Sequence, residues 1–209
     1  MNDALRVDGA ALRAQVVGEG ANLGLTQLGR VEYALKGGRI NTDALDNSAG
    51  VDLSDHEVNL KIFFTHLKEI GKISNDEERD IYLKEIAGEV CKDVLIDNAL
   101  QSLTIDTDYE ESITKGWNPF INGSQGLISK KILHPGTEKI PSTLVDWEEW
   151  KAQTKGIPKP VLCVLLSYAK MELYNESIRE NCFHIEDFPE LFYDYFPSAL
   201  VNKYRDELK

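Results

Sequence analysis

The sequence predicts an α/β layer followed by a mainly α-helical part. Two observations carry this. Eight of the 15 glycines fall within the first 50 residues, where they punctuate short β-prone runs on either side of one helix. Beyond residue 53 the pattern changes to long amphipathic runs with capping residues. The expected domains are therefore residues 1–53 and residues 54–209. A chain of 209 residues is long enough for one large domain or two small ones.

Taken in order, Ala4 to Arg13 reads as a helix interrupted at Gly9. Ala14-Gln15-Val16-Val17 is a short run that suits a buried parallel strand and leads into Gly18-Glu19-Gly20. Thr26 to Lys36 carries Leu28, Val31, Ala34 and Leu35 at helical spacing and stops at Gly37-Gly38. Arg39-Ile40-Asn41 follows as a second short strand, completing strand, turn, helix, strand. Ser54-Asp55-His56-Glu57 fits a capping box, which predicts a helix start at Ser54. Leu60, Phe63, Phe64 and Leu67 form its apolar stripe, and Gly71 ends it. Ser74-Asn75-Asp76-Glu77 repeats the capping pattern before a face of Ile81, Ile86, Val90, Val94 and Leu95 that reaches about Leu103. Asp106 to Pro119 reads as a loop and Ser129 to Leu133 as a short helix. Pro141-Ser142-Thr143 opens a helix ending near Gly156. Pro158-Lys159-Pro160 precedes a long one over Val161 to Arg179, and Pro197 opens the last.

Composition excludes several classes. Lys and Arg number 23 against 35 Asp and Glu, a net charge of −12, which argues against binding the phosphate backbone of nucleic acid. The longest apolar run, Val161 to Leu166, is far short of a membrane span, and Met1 to Arg6 has no signal-peptide pattern. Cys91, Cys163 and Cys182 have no paired spacing and read as reduced thiols, so a cytoplasmic protein is expected.

Enzymatic signatures are scarce. No phosphate-binding glycine loop is complete, because Gly18-Glu19-Gly20 lacks a third glycine at the right place. His56, His66, His134 and His184 are scattered and read as surface histidines, not metal ligands. Asp43, Asp46, Asp52 and Asp55 match no calcium loop and read as turn and cap residues. What remains is Glu19-Gly20-Ala21-Asn22 together with Asn47-Ser48-Ala49-Gly50-Val51 and Ser54. An asparagine after a glycine turn offers both a donor and an acceptor. At the carboxyl ends of parallel strands such a residue can meet a cofactor's carboxamide or ribose. Asparagine also simply tolerates turn conformations, so both roles remain open on spacing alone.

These same residues resemble the glutamate dehydrogenase superfamily. Glu19-Gly20-Ala21-Asn22 matches a Glu-Gly-Ala-Asn motif, and Asn47 to Val51 matches an Asn-Ala-Gly-Gly-Val motif with departures at Ser48 and Ala49. A serine three residues past the valine matches Ser54. Longer runs, including Tyr33 to Asp43 and Asp46 to Asn59, resemble the large bacterial NAD-specific glutamate dehydrogenases. The likeness is close over residues 2–103, returns at Lys155 to Tyr174 and Asp194 to Tyr204, and is thin between.

The resemblance implies the C-terminal piece of a Rossmann-like NAD domain followed by a helical domain. It implies NAD as cofactor and L-glutamate and 2-oxoglutarate as substrate and product. Glu19, Gly20, Asn22 and Asn47 would be cofactor-binding, with Asn22 beside the nicotinamide ribose and Asn47 on the carboxamide. Val51 and Ser54 would line the substrate pocket, the serine hydroxyl meeting the substrate's side-chain carboxylate, helped by a helix N-terminus at Ser54. The family's catalytic lysines and aspartate have no match here, so no catalytic residue is assigned. The chain reads as an inactive fragment that needs an upstream polypeptide or a homo-oligomer. The alternative is a non-catalytic helical module that binds such a polypeptide and restores the enzyme by complementation.

Overall fold

The computed structural model describes residues 6–20, 23–180 and 187–208. The chain forms two compact units built from interleaved segments. The first comprises residues 1–47 and 100–175, the second residues 48–99 and 176–209.

In the first unit a 3-10 turn over Gly9–Ala11 precedes strand β1 (Val16–Val17), helix α1 (Gln27–Leu35), strand β2 (Arg39–Ile40) and the single-turn helix α2 (Asp43–Asp46). The Thr26 hydroxyl accepts the Gly29 N–H at 3.1 Å and caps α1, and Gly37, at φ +90°, ends it. β1 and β2 pair in parallel, Val16 opposite Arg39 and Val17 opposite Ile40. The rest of the unit is helical. Its core gathers around the fully buried Trp147 of α7 (Leu144–Lys151), which meets Trp117 edge-on at a centroid distance of 6.1 Å. Residues Ile121 of α5 (Asn118–Ser129) and Val161 to Leu165 of α8 (Lys159–Arg179) complete it, with Leu133 and Ile157. A short turn of helix, α6 (Pro135–Glu138), lies between α5 and α7. Burial also raises the Cys163 thiol to about 11, so this cysteine behaves as a core group.

The second unit contains α3 (Ser48–Glu69), the first part of α4 (Asp76–Thr114), α9 (Pro189–Asp194) and α10 (Ser198–Tyr204). Leu60, Phe63, Phe64 and Leu67 of α3 pack with Ile86, Val90 and Val94 of α4 and with Leu200 and Tyr204 of α10. Gly71, at φ +73°, stops the chain after α3. Asn75 accepts the Glu78 N–H at 2.9 Å while Glu78 accepts the Ser74 N–H at 2.9 Å, a reciprocal cap one residue later than the spacing suggests.

Several expectations are corrected. The Rossmann-like parallel sheet is absent: among the described residues the strands are β1 and β2, two residues each, and the protein is mostly helical. A doubly covered sheet needs strands buried on both faces. Val16 is 64% exposed, and the core is instead made by helix packing on Trp147 and Phe64. Ser54 is not a helix start but an exposed position in the second turn of α3, which begins at Ser48. Tertiary contacts hold that extra turn, for Asn98 donates to the Ser48 hydroxyl at 2.7 Å. The predicted loop from Asp106 is helix through Thr114. There Thr104, Thr107 and Thr114 satisfy their hydroxyls on carbonyls four residues back, and Ile105 is fully buried. Residues 129–133 close α5 rather than form a helix. Ala4 to Arg13 yields only the 3-10 turn within its described part. No helix among the described residues is long and apolar enough to cross a membrane.

Candidate functional site

Parallel pairing sends the segments after β1 and β2 out of the same edge of the strand pair. The segment after β1 carries Glu19 and Gly20. The one after β2 runs through Asn41 and α2 to Asn47. The Glu19 N–H joins them by donating to Asp46 Oδ2 at 2.9 Å, while Asn41 Nδ2, on the same segment as Asp46, donates to its Oδ1 at 3.1 Å. Leu23 N–H donates to Asp43 Oδ2 at 2.7 Å. Burial opposes ionisation of Asp43, yet that N–H and the Arg30 charge hold its carboxyl below the usual carboxylate value.

Arg30 sits at the centre and is only 2% exposed. Its Nη2 donates to Glu19 Oε2 at 2.6 Å and to the Leu25 carbonyl at 3.2 Å, and its Nη1 to the Asn41 carbonyl at 3.4 Å. The other Glu19 oxygen accepts the Gly24 N–H at 2.6 Å. Gly20 is exposed, and a Cβ built on it would meet nothing within 4 Å. Among the described residues, therefore, no close contact requires glycine there. Asn47 is half-buried and closes α2, its N–H donating to the carbonyls of Asp43 and Leu45.

The predicted site residues fall as follows. Glu19, Gly20 and Asn47 lie in the first unit, where Asp46 links the segments that bear them. Asn22 lies outside the described residues. Val51 and Ser54 lie in the second unit, three residues apart on α3; Ser54 is exposed and Val51 is 72% exposed. Arg30 has no mark in the sequence: a lone arginine within an amphipathic helix carries no signal of burial, whereas the carboxylates at 43 and 46 read as turn residues.

His56 also differs from its sequence reading. It is 4% exposed, stacked on the Tyr195 ring at 4.5 Å, with Nε2 3.9 Å from Asp52. The Tyr195 hydroxyl accepts from Asn59 Nδ2 at 2.7 Å and donates to Asp55 Oδ2 at 3.0 Å. Burial raises the Tyr195 phenol, keeping it protonated and able to donate. His66 and His134 are exposed as expected, and His184 and Cys182 lie outside the described residues. Among the described residues no group of three acidic, His or Cys side chains is placed to hold a metal. An open groove of about 1470 Å³ lies at the amino end of β2, lined by Lys36, Arg39, Tyr109 and Lys159 among others. It does not include Glu19, Gly20 or Asn47.

Residues 1–108 match the family model described as bacterial NAD-glutamate dehydrogenase, catalytic domain, and residues 154–209 match glutamate dehydrogenase, C-terminal. The chain belongs to the bacterial NAD-glutamate dehydrogenase family. It is similar to the NAD-specific glutamate dehydrogenases of Halomonas elongata (39% identical over 99% of the chain) and Mycobacterium tuberculosis (36% over 100%). That of Pseudomonas aeruginosa is 35% identical over 100% of the chain. In each case the chain spans 13% of the relative's length. No solved structure matches.

Proposed function

We propose that this chain supplies part of the NAD-contacting and glutamate-contacting surface of a dehydrogenase that converts L-glutamate, NAD⁺ and water to 2-oxoglutarate, ammonia and NADH. The observation that carries the proposal is the segment after β1. There Asp46 holds the Glu19 N–H and Arg30 holds the Glu19 carboxylate, yet among the described residues nothing lies within 4 Å of a Cβ built on Gly20. A residue without a side chain lets a flat ligand approach the backbone. NAD, when bound, supplies the hydride acceptor. Asn47, and by resemblance Asn22, orient it, since a side-chain amide can both donate to and accept from a carboxamide. In the complete enzyme Val51 presents an apolar surface to glutamate and the exposed Ser54 hydroxyl meets its side-chain carboxylate. Ser54 does so without the help of a helix N-terminus, because it lies inside α3.

Hydride and proton transfer need cofactor, substrate and acid–base groups in one geometry. In this proposal those acid–base groups come from further polypeptide, and the chain alone is inactive. NADH absorbance with glutamate and NAD⁺ tests this: turnover by the purified 209-residue chain refutes it. In a complete dehydrogenase carrying these residues, Asn47→Ala raises the KM for NAD⁺ by about tenfold, the worth of one good hydrogen bond to a ligand. An unchanged KM removes Asn47 from the cofactor site.

The exposed apolar stripe of Val51, Val58 and Ile62 on α3, 72%, 52% and 63% exposed, favours a second reading in which the chain complements a separate polypeptide. Mixing the chain with a separately expressed upstream portion then restores turnover. Absence of co-purification excludes complementation.

A further inference from the structure

Irregular backbone has no ladder partners, so its N–H groups must be satisfied some other way. Among the described residues that follow β1, the N–H groups of Glu19, Leu23 and Gly24 go to the carboxylates of Asp46, Asp43 and Glu19. Two of those carboxylates, Glu19 and Asp43, also face the buried guanidinium of Arg30. Its Nη2 is 2.6 Å from Glu19, and 3.6 Å separates it from Asp43 Oδ1. The same guanidinium reaches the carbonyls of Leu25 and Asn41, so one planar group touches both segments that leave the strand pair. Burying a charge in this way is costly unless it is fully paired, so the arginine and its acceptors on the two segments form one interdependent group. Val31 and Tyr33 already provide the apolar packing of α1.

We infer that Arg30, acting with Glu19, is a positioning pair for the NAD-contacting loop: it sets the loop that bears Gly20 against the α2 segment that bears Asn47. Glu19 then acts through the loop and not by touching the dinucleotide, because both its oxygens are engaged by Arg30 and the Gly24 N–H. This rests on the cofactor reading above. Lysine cannot replace the arginine: an ammonium is a point donor, and it cannot span three acceptors on two segments as a planar fork can.

The test uses the complete dehydrogenase carrying these residues, with Asn47→Ala run in parallel. Arg30→Lys and Glu19→Gln each raise the KM for NAD⁺ by about tenfold or more while the KM for glutamate stays within about twofold, and the double variant is no worse than the weaker single, as for residues that act as a unit. In Arg30→Lys the Leu23 and Gly24 amides exchange faster with solvent hydrogen, and this readout remains available where activity is lost. A purely structural ion pair instead lowers the melting temperature and leaves the KM for NAD⁺ unchanged. If Asn47→Ala raises that KM and both Arg30→Lys and Glu19→Gln leave it within twofold, the positioning role is overturned and the cofactor reading stands. If all three leave it unchanged, the cofactor reading falls and takes the positioning role with it.

Discussion

Tyr33 shows how one side chain sets the geometry around the strand pair. Its ring is buried, its hydroxyl donates to the Ala14 carbonyl at 2.6 Å, and it lies directly against Gly38. A Cβ at Gly38 would stand 2.3 Å from the ring, and the ring is pinned at its far end. Gly38→Ala therefore forces a shift of Tyr33 or of β2 and costs about 1–3 kcal/mol, as overpacking does. Denaturant unfolding checks this; an unchanged midpoint would show that the ring yields freely. The residue scale is also where site prediction had its clearest limits. Asn47 and Glu19 stand out in the sequence because their neighbours form a recognisable run. Arg30 and His56 do not, since burial of a polar side chain depends on what other elements bring to it: Glu19 and Asp43 in one case, Tyr195 in the other.

At the scale of elements, helices with local stop and start signals match their sequence reading. α1 runs from the Thr26 cap to Gly37, α7 from the Thr143 cap, and α8 begins with Pro160 in its first turn. α7 has a complete capping box, Thr143 accepting the Asp146 N–H at 3.2 Å and Asp146 accepting the Thr143 N–H at 3.0 Å. Those bonds and the Ser142 contacts hold the Asp146 carboxyl below its usual value. Thr143→Ala costs about 1 kcal/mol by loss of the cap. It also speeds amide exchange at Asp146, in the first turn of α7, and leaves α8 as it was; equal exchange in the two proteins would mean the cap contributes nothing. Other signals misled. A serine followed three residues later by glutamate suits a helix start at Ser54, but it is equally stable within α3 once Ser48 is held by Asn98. Threonines and aspartates after Asp106 have weak helix propensity. Burial of Ile105 and the buried Ser112 hydroxyl, which accepts the Ile157 N–H at 3.0 Å, override it.

For the whole molecule, each unit depends on its own aromatic centre. Trp147 and Phe64 are fully buried, in separate clusters. Trp147→Ala destabilises the first unit and Phe64→Ala the second, each by about 3–5 kcal/mol, the usual cost of emptying a large aromatic site. Native-state hydrogen exchange reads each loss at core amides of its own unit, Leu162 for the first and Val90 for the second. Unaltered protection at either would remove that aromatic from its assigned centre. Each unit closes on residues distant in sequence: Gln27 donates to the Pro160 carbonyl at 3.0 Å in the first, and Ser198 donates to Glu89 at 2.8 Å in the second.

By itself the sequence determined what local chemistry determines: helix stripes and stops, the order strand, helix, strand over residues 16–40, and membership of a dehydrogenase family through runs such as Glu19 to Asn22. Tertiary structure alone decided that the strand pair stays two residues long, that α3 starts at Ser48, that segments 1–47 and 100–175 share one core, and that Arg30 is buried among carboxylates. The physical reason is range. Propensity, capping and periodicity act within about one helical turn, whereas burial and ion pairing depend on partners that approach only when the chain has closed.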